Sequence, residues 1–181
     1  MSLLSVIVPA YNEKENIQPL CGRVREALES DGIDYELLLV DDGSRDGTFS
    51  EIERCAKEDA RVRGACFTRN FGKEAAISAG IALCRGDCAV VMDGDLQHPA
   101  QAIPRMYRLW QDGYEIVEGV KNDRGEEKKA QKLFARTFYA LISRLTHMDM
   151  QNTSDFKLMD RRVLEVLKNL PEHSTFFRGL T

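Results

Sequence analysis

Asp87-Cys88-Ala89-Val90-Val91-Met92-Asp93-Gly94-Asp95-Leu96-Gln97-His98-Pro99 is the stretch around which the rest of the chain is organised. The apolar run 89–92 has the length and composition of a buried strand. Two carboxylates separated by one glycine follow it. Unpaired carboxylates are costly to bury, so a strand that ends in two of them delivers them to a ligand. In open α/β sheets, ligands bind beyond the carboxyl ends of the strands. Asp93 and Asp95, with the carbonyl-bearing Gln97 beside them, suit a hard cation such as Mg²⁺ or Mn²⁺. The stretch reads as a site for a metal ion and a diphosphate.

Upstream, residues 4–8 form an apolar, β-branched first strand, and Pro9 is expected to close it because proline cannot donate to a central ladder. Helical spacing of Ile17, Leu20, Val24 and Leu28 predicts a helix over 15–29, with Asn12 as a candidate cap. Residues 35–40 read as a second strand ending in Asp41-Asp42-Gly43-Ser44. Asp42 is expected to bond backbone within that turn. Asp46-Gly47-Thr48 opens a helix to about residue 60. A third strand over 62–67 leads through Arg69-Asn70-Phe71-Gly72-Lys73 into an alanine-rich helix over 74–84. Downstream, a helix over 99–112 has Pro99 near its start, where a missing N–H does not matter. A fifth strand is expected at 115–120, a charged connection at 121–129, a long amphipathic helix at 130–146, a strand-like stretch at 155–159 and a last helix at 161–169. Alternating strands and helices predict an α/β fold: a doubly wound, mostly parallel sheet with helices on both faces. The density of elements leaves no linker, so residues 1–181 are expected to form one domain.

A chain of 181 residues with 43% apolar and 30% charged residues is that of a soluble globular protein with a sizeable core. The net charge of −4 gives no reason to expect nucleic acid as a partner. Five scattered cysteines without a CxxC pair read as reduced, mostly buried thiols of the cytosol. No apolar run reaches the ~20 residues needed to span a bilayer.

Absences narrow the chemistry. There is no G-x-G-x-x-G after the first strand and no G-x-x-x-x-G-K-[ST], which argues against a dinucleotide cofactor and a P-loop NTPase. Asp93-Gly94-Asp95 lies on the fourth strand, not on the first where D-x-D phosphatases carry their nucleophile. A phospho-receiver would explain Asp41-Asp42 but would leave Asp93-Gly94-Asp95 and Pro9–Glu13 without a role. What remains is a set of acids gathered at one edge of a sheet. Glu13 and Asp41 can accept hydrogen bonds from a base or ribose, Asp93 and Asp95 can hold a metal, and Arg69, Lys73, Lys121, Arg124 and Lys128 are available cations. His98 reads as a loop or packing residue.

Five motifs then stand in register over almost the whole chain: Val8-Pro9-Ala10-Tyr11-Asn12-Glu13, Val40-Asp41-Asp42-Gly43-Ser44, Asp46-Gly47-Thr48, Arg69-Asn70-Phe71-Gly72 and Asp93-Gly94-Asp95-Leu96-Gln97-His98-Pro99. With them the chain resembles the family 2 glycosyltransferases of GT-A fold. Ser154-Asp155-Phe156-Lys157-Leu158-Met159-Asp160-Arg161 and Phe177-Arg178-Gly179 further resemble polyprenyl-phosphate transferases, among them dolichol-phosphate mannose synthases and, more closely, bactoprenol glucosyltransferases. The resemblance implies inverting transfer of a sugar from UDP-sugar or GDP-mannose to the phosphate of a membrane polyprenol. It implies that Pro9, Tyr11, Glu13 and Asp41 hold the nucleoside and that Lys73, Asp93 and Gly94 also contact the nucleotide-sugar. It implies Asp93, Asp95 and Gln97 as ligands of Mg²⁺ or Mn²⁺. Asp95, Asp155 and Arg124 are the candidate catalytic residues, with Arg124 meeting the acceptor phosphate or the donor diphosphate and Asp155 standing near the acceptor. The Gln-x-x-Arg-Trp motif of polymer-building relatives is missing, since the single tryptophan, Trp110, stands elsewhere.

Many polyprenyl-phosphate relatives continue into two transmembrane helices after the stretch that Arg178-Gly179 resembles, so the chain is expected to be a soluble catalytic domain cut before them or a relative without the membrane part. The full-length protein is then expected at the cytoplasmic face of the membrane, and self-association is compatible with the sequence. Residues 121–146 carry seven basic and three acidic groups and end in an amphipathic helix, which fits either core packing or an anionic membrane surface. Two other functions fit the same residues: a family 2 transferase acting on a soluble or envelope glycan, and a non-enzymatic nucleotide-sugar-binding or signalling module.

Overall fold

The structure, a computed structural model, describes residues 2–119 and 155–169. The strands are β1 (Leu4–Ala10), β2 (Tyr35–Asp41), β3 (Val62–Cys66), β4 (Cys88–Val91), β5 (Ile116–Glu118) and β6 (Lys157–Asp160). The helices are α1 (Lys14–Glu29), α2 (Thr48–Glu58), α3 (Lys73–Leu83), α4 (Ile103–Gln111), preceded by a 3-10 turn at Ala100–Ala102, and α5 (Arg161–Lys168). They build one six-stranded sheet of order β3-β2-β1-β4-β6-β5.

β1 to β4 pair in parallel, as the strand-helix alternation predicts. β6 runs antiparallel between β4 and β5, so the sheet is mixed. Period-2 alternation sends residues to two cores. Val6, Val8, Leu37, Leu39, Val90 and Leu158 meet Ile17, Leu20, Ile52 and Ile103 of α1, α2 and α4. Ile7, Leu38, Val40, Ala89, Val91 and Met159 meet Ala76, Ile77, Ile81 and Leu164 of α3 and α5 on the other face. Burial on both faces is why β1, β2 and β4 are continuous apolar runs. The cysteines are free thiols, and burial pushes that of Cys21 up to about 12.

Three local expectations change. Pro9 does not close β1; it pairs with Val40 inside the strand. Even-numbered residues of β1 bond toward β2, as Asp42 N–H does to Ala10 O, while Ile7 O accepts from Met92 on the β4 side. Pro9 faces that β4 side, where the ladder has ended at Ile7 and Val91, so its missing N–H breaks nothing. Asn12 does not cap α1, whose N-cap is Glu13 without a side-chain bond. The proline at the start of α4 is Pro104, while Pro99 only precedes the 3-10 turn. The 121–129 connection, the 130–146 helix and the Phe177-Arg178-Gly179 stretch lie outside the described residues, as do Lys121, Arg124 and Lys128.

Candidate active site

The chain leaves β1 toward β2 and then returns to place β4 on the other side of β1, which makes the β1–β4 junction the switch point of the sheet. A cleft of about 310 Å³ opens there, beyond the carboxyl ends of the strands. Pro9, Ala10, Tyr11 and Glu13 line it from the end of β1, Asp42 from the end of β2, Asn70, Gly72 and Lys73 from the β3–α3 loop, and Asp93, Gly94 and Asp95 from the end of β4.

Hydrogen bonds between loops fix this wall. Asn12 N–H donates to Ser44 Oγ (2.8 Å), Glu13 N–H to Thr48 Oγ1 (2.9 Å) and Lys14 N–H to Asp46 Oδ2 (3.2 Å). Asn12 Oδ1 accepts from Arg45 N–H (3.1 Å), the work it does in place of capping. Asp42 Oδ1 accepts from Phe71 N–H (2.7 Å) and Oδ2 from Gly72 N–H (2.9 Å), which ties β2 to the β3–α3 loop. The Gly43 turn and that loop touch: a Cβ on Gly43, at φ +71°, would stand 2.4 Å from the Arg69 carbonyl carbon. Only glycine fits there.

The two adjacent acids of β2 therefore differ from their expected places. Asp41, not Asp42, bonds the Gly43-Ser44 turn: Asp41 Oδ1 accepts from Ser44 N–H (3.1 Å) and from its hydroxyl, and Oδ2 from the Cys66 thiol (3.3 Å). Asp42 bonds backbone as well, but that of Phe71 and Gly72, and it is the one that faces the cleft. Sequence reasoning left out Asp42, Asn70, Gly72 and Ala10 as site residues, although all lie within the quoted motifs.

At the end of β4, Asp93 N–H donates to His98 Nδ1 (2.9 Å), and the imidazole stacks on Phe156 at 5.0 Å. His98 is a loop and packing residue, as expected, and it shapes the turn that carries both acids. Asp95 Oδ1 accepts from Gln97 N–H (3.0 Å). Leu96 between them is left-handed (φ +65°) and packs on the core. The Gln97 side chain is exposed and is not among the cleft residues.

Lys73, the first residue of α3, reaches across to both neighbours. Its Nζ is 2.5 Å from Asp93 Oδ1 and 2.6 Å from Asp155 Oδ2. Burial works against the ammonium, and the Asp155 and Asp93 carboxylates outweigh it, so its pKa is raised. Asp155 is buried, at 3% exposure, and lies just before β6. The structure thus brings Pro9, Tyr11, Glu13, Lys73, Asp93, Gly94 and Asp95 together around one opening, with the buried Asp155 joined to them through Lys73, and leaves Asp41 and Gln97 out of its lining.

The donor set fits a divalent ion. Asp93 Oδ1 is buried and lacks a hydrogen bond of ordinary geometry, with Lys73 Nζ 2.5 Å away as its ion-pair partner. Among the described residues no three His, Cys, Asp or Glu side chains converge as a metal cage. Two carboxylates without a third suit an ion that completes its shell with phosphate oxygens and water, as Mg²⁺ does in nucleotide sites. Among the described residues, Glu13, Asp42, Asp93 and Asp95 give the cleft four carboxylates against the one ammonium of Lys73.

This architecture is that of the GT-A glycosyltransferases. A mannosyltransferase from Pyrobaculum calidifontis, solved in complex with GDP-Man and Mn²⁺, superposes with a TM-score of 0.65 at 22% identity, over 98% of this chain and 49% of that one. Residues 5–168 match the model of Glycosyl transferase family 2, and the chain belongs to that family. The bactoprenol glucosyl transferase of Shigella phage SfX is 38% identical over 178 residues, covering 98% of this chain and 58% of the relative. An uncharacterized glycosyltransferase of Synechocystis is likewise 38% identical, over 98% of this chain and 56% of the relative. The chain spans somewhat more than half the length of these curated relatives.

Proposed function

We propose that this chain is the catalytic part of an inverting, metal-dependent glycosyltransferase that moves a hexose from a nucleotide-sugar to a polyprenyl phosphate at the cytoplasmic face of a membrane. The observation that carries the metal is the charge of the cleft. A nucleoside diphosphate is itself anionic, and the four carboxylates that face one ammonium among the described residues would repel it unless a cation enters with it. The similarity to bactoprenol glucosyl transferases at 36–38% identity supports the acceptor, and a UDP-glucose-like or GDP-mannose donor fits the family.

In this reading Pro9, Tyr11, Glu13 and Asp42 hold the nucleoside, with Asp42 in the place expected of Asp41. Asp93 and Asp95 hold the ion against the diphosphate, with Gln97 beside them. A divalent ion there would supply Lewis-acid stabilisation of the charge that builds on the departing diphosphate. Asp155 anchors Lys73 at the opening. The acceptor phosphate is ionised near neutral pH and needs placement more than deprotonation, so no strong base is required of Asp155. Arg124 and the basic residues of 121–146 are assigned to the acceptor phosphate and the anionic lipid surface.

A donor screen with polyprenyl phosphate on the full-length protein tests this. One of UDP-glucose and GDP-mannose is expected to be turned over, and Asp95→Ala to lower the rate by about a hundredfold or more. Wild-type turnover by Asp95→Ala, or transfer only to a soluble sugar, would refute the reading.

A further inference from the structure

Asp93 Oδ1 is the one buried side-chain oxygen or nitrogen among the described residues that makes no hydrogen bond, and Lys73 Nζ is the cation beside it, at 2.5 Å. The same ammonium does hydrogen-bond to Asp155 Oδ2, at 2.6 Å. Lys73 therefore pairs with two carboxylates at once, one of them an acid that is a candidate metal ligand. A divalent ion held by Asp93 would compete with the ammonium for that carboxylate. Two cations at one carboxylate oxygen repel each other strongly in a partly buried cleft.

We infer that Lys73 competes with the divalent ion for Asp93 and makes ion binding conditional on the nucleotide diphosphate. This rests on the metal reading given above. Before the donor arrives, the ammonium neutralises Asp93 and Asp155 together and lowers the attraction of the paired acids for a free ion. When the diphosphate enters with its ion, its oxygens offer the ammonium another anion. Lys73 then leaves Asp93 and keeps Asp155. Asp155 would stay paired with Lys73 in either state. Lys73 is in this sense a positioning residue, tethered at the start of α3 by the backbone that Asp42 holds through Gly72 N–H.

Mn²⁺ binding followed by electron paramagnetic resonance tests the inference on the full chain, without nucleotide and with UDP or GDP added. Lys73→Met is expected to bind free Mn²⁺ about threefold to fivefold more tightly than the wild type, the range for one partly exposed ion pair. It is also expected to lose part of the enhancement that nucleotide gives. Lys73→Arg keeps the charge and should resemble the wild type, which separates competition from damage to α3. Free Mn²⁺ bound equally or more weakly by Lys73→Met would overturn the inference while leaving the metal reading intact. Mn²⁺ ignored by wild type and variant alike, with either nucleotide, would overturn both.

Discussion

Two hydrogen bonds hold the turn that presents Asp93 and Asp95. The Asp93 N–H to His98 Nδ1 bond requires the imidazole proton to be on Nε2, and stacking on Phe156 keeps the ring in place. His98→Leu would leave that N–H without its partner, at a cost of about 1–3 kcal/mol. His98→Asn can restore the acceptor. Urea unfolding is expected to show His98→Leu destabilised and His98→Asn intermediate, and donor binding should follow the same order. Equal stability of His98→Leu and wild type would refute this role. Sequence alone could not assign such roles to individual atoms. Asp41 and Asp42 are neighbours of identical chemistry, and what separates them is the Gly43 turn and its contact with the Arg69 backbone, a packing fact. Lys73, Asp93 and Asp155 meet across three distant segments, so no local spacing announces their cluster.

At the scale of elements, α3 lies on β1 through a glycine. Gly80→Ala in a helix ordinarily stabilises by about 1 kcal/mol. Here a Cβ would stand 2.3 Å from Ile7 Cγ2, a buried, β-branched neighbour with little room to yield. Overpacking costs about 1–3 kcal/mol, so the sign reverses and thermal unfolding should find Gly80→Ala less stable. A stabilised variant would mean that α3 can slide. The amino ends of the strands carry a buried polar cluster opposite the cleft. Glu36 accepts from Ser5 Oγ (2.7 Å) and Arg85 N–H (2.6 Å) and pairs with Arg63 (2.6 Å). Burial raises its pKa, and these three partners together outweigh burial, so the carboxyl lies below its usual value of 4.5. The stability it contributes is present above that value and is lost as pH falls through the lowered pKa. Glu36→Gln is expected to cost about 1–3 kcal/mol at pH 7 and little once the wild-type carboxyl is protonated. A cost that does not shrink with acid would contradict this. The elements themselves were legible where both faces of a strand are apolar, as in β1, β2 and β4. Their ends were less so, since Pro9 is tolerated by the ending of a neighbouring strand and the 3-10 turn before α4 leaves no periodic trace.

The molecule as a whole joins a parallel half, β3-β2-β1-β4, to an antiparallel edge, β6-β5. The parallel half follows from strand-helix alternation. The edge does not, because β6 comes from beyond residue 154 and lies between β4 and β5, two strands that precede it in sequence. Trp110, the sole tryptophan, belongs to this edge: its Nε1–H donates to Asp160 Oδ2 (2.8 Å), and Asp160 Oδ1 caps α5 through Arg162 N–H. The same insertion brings Asp155 to Lys73, so the edge strand supports the cleft that the switch point opens. The central claim is that the cleft binds a nucleotide-sugar through a divalent ion on Asp93 and Asp95. Calorimetry with UDP-glucose and GDP-mannose, with Mn²⁺ and with EDTA, on wild type and Asp95→Ala, tests it most directly. One donor is expected to bind with Mn²⁺, and to weaken by about tenfold or more with EDTA or in Asp95→Ala. Binding of equal strength with and without the ion, unaffected by Asp95→Ala, would contradict it.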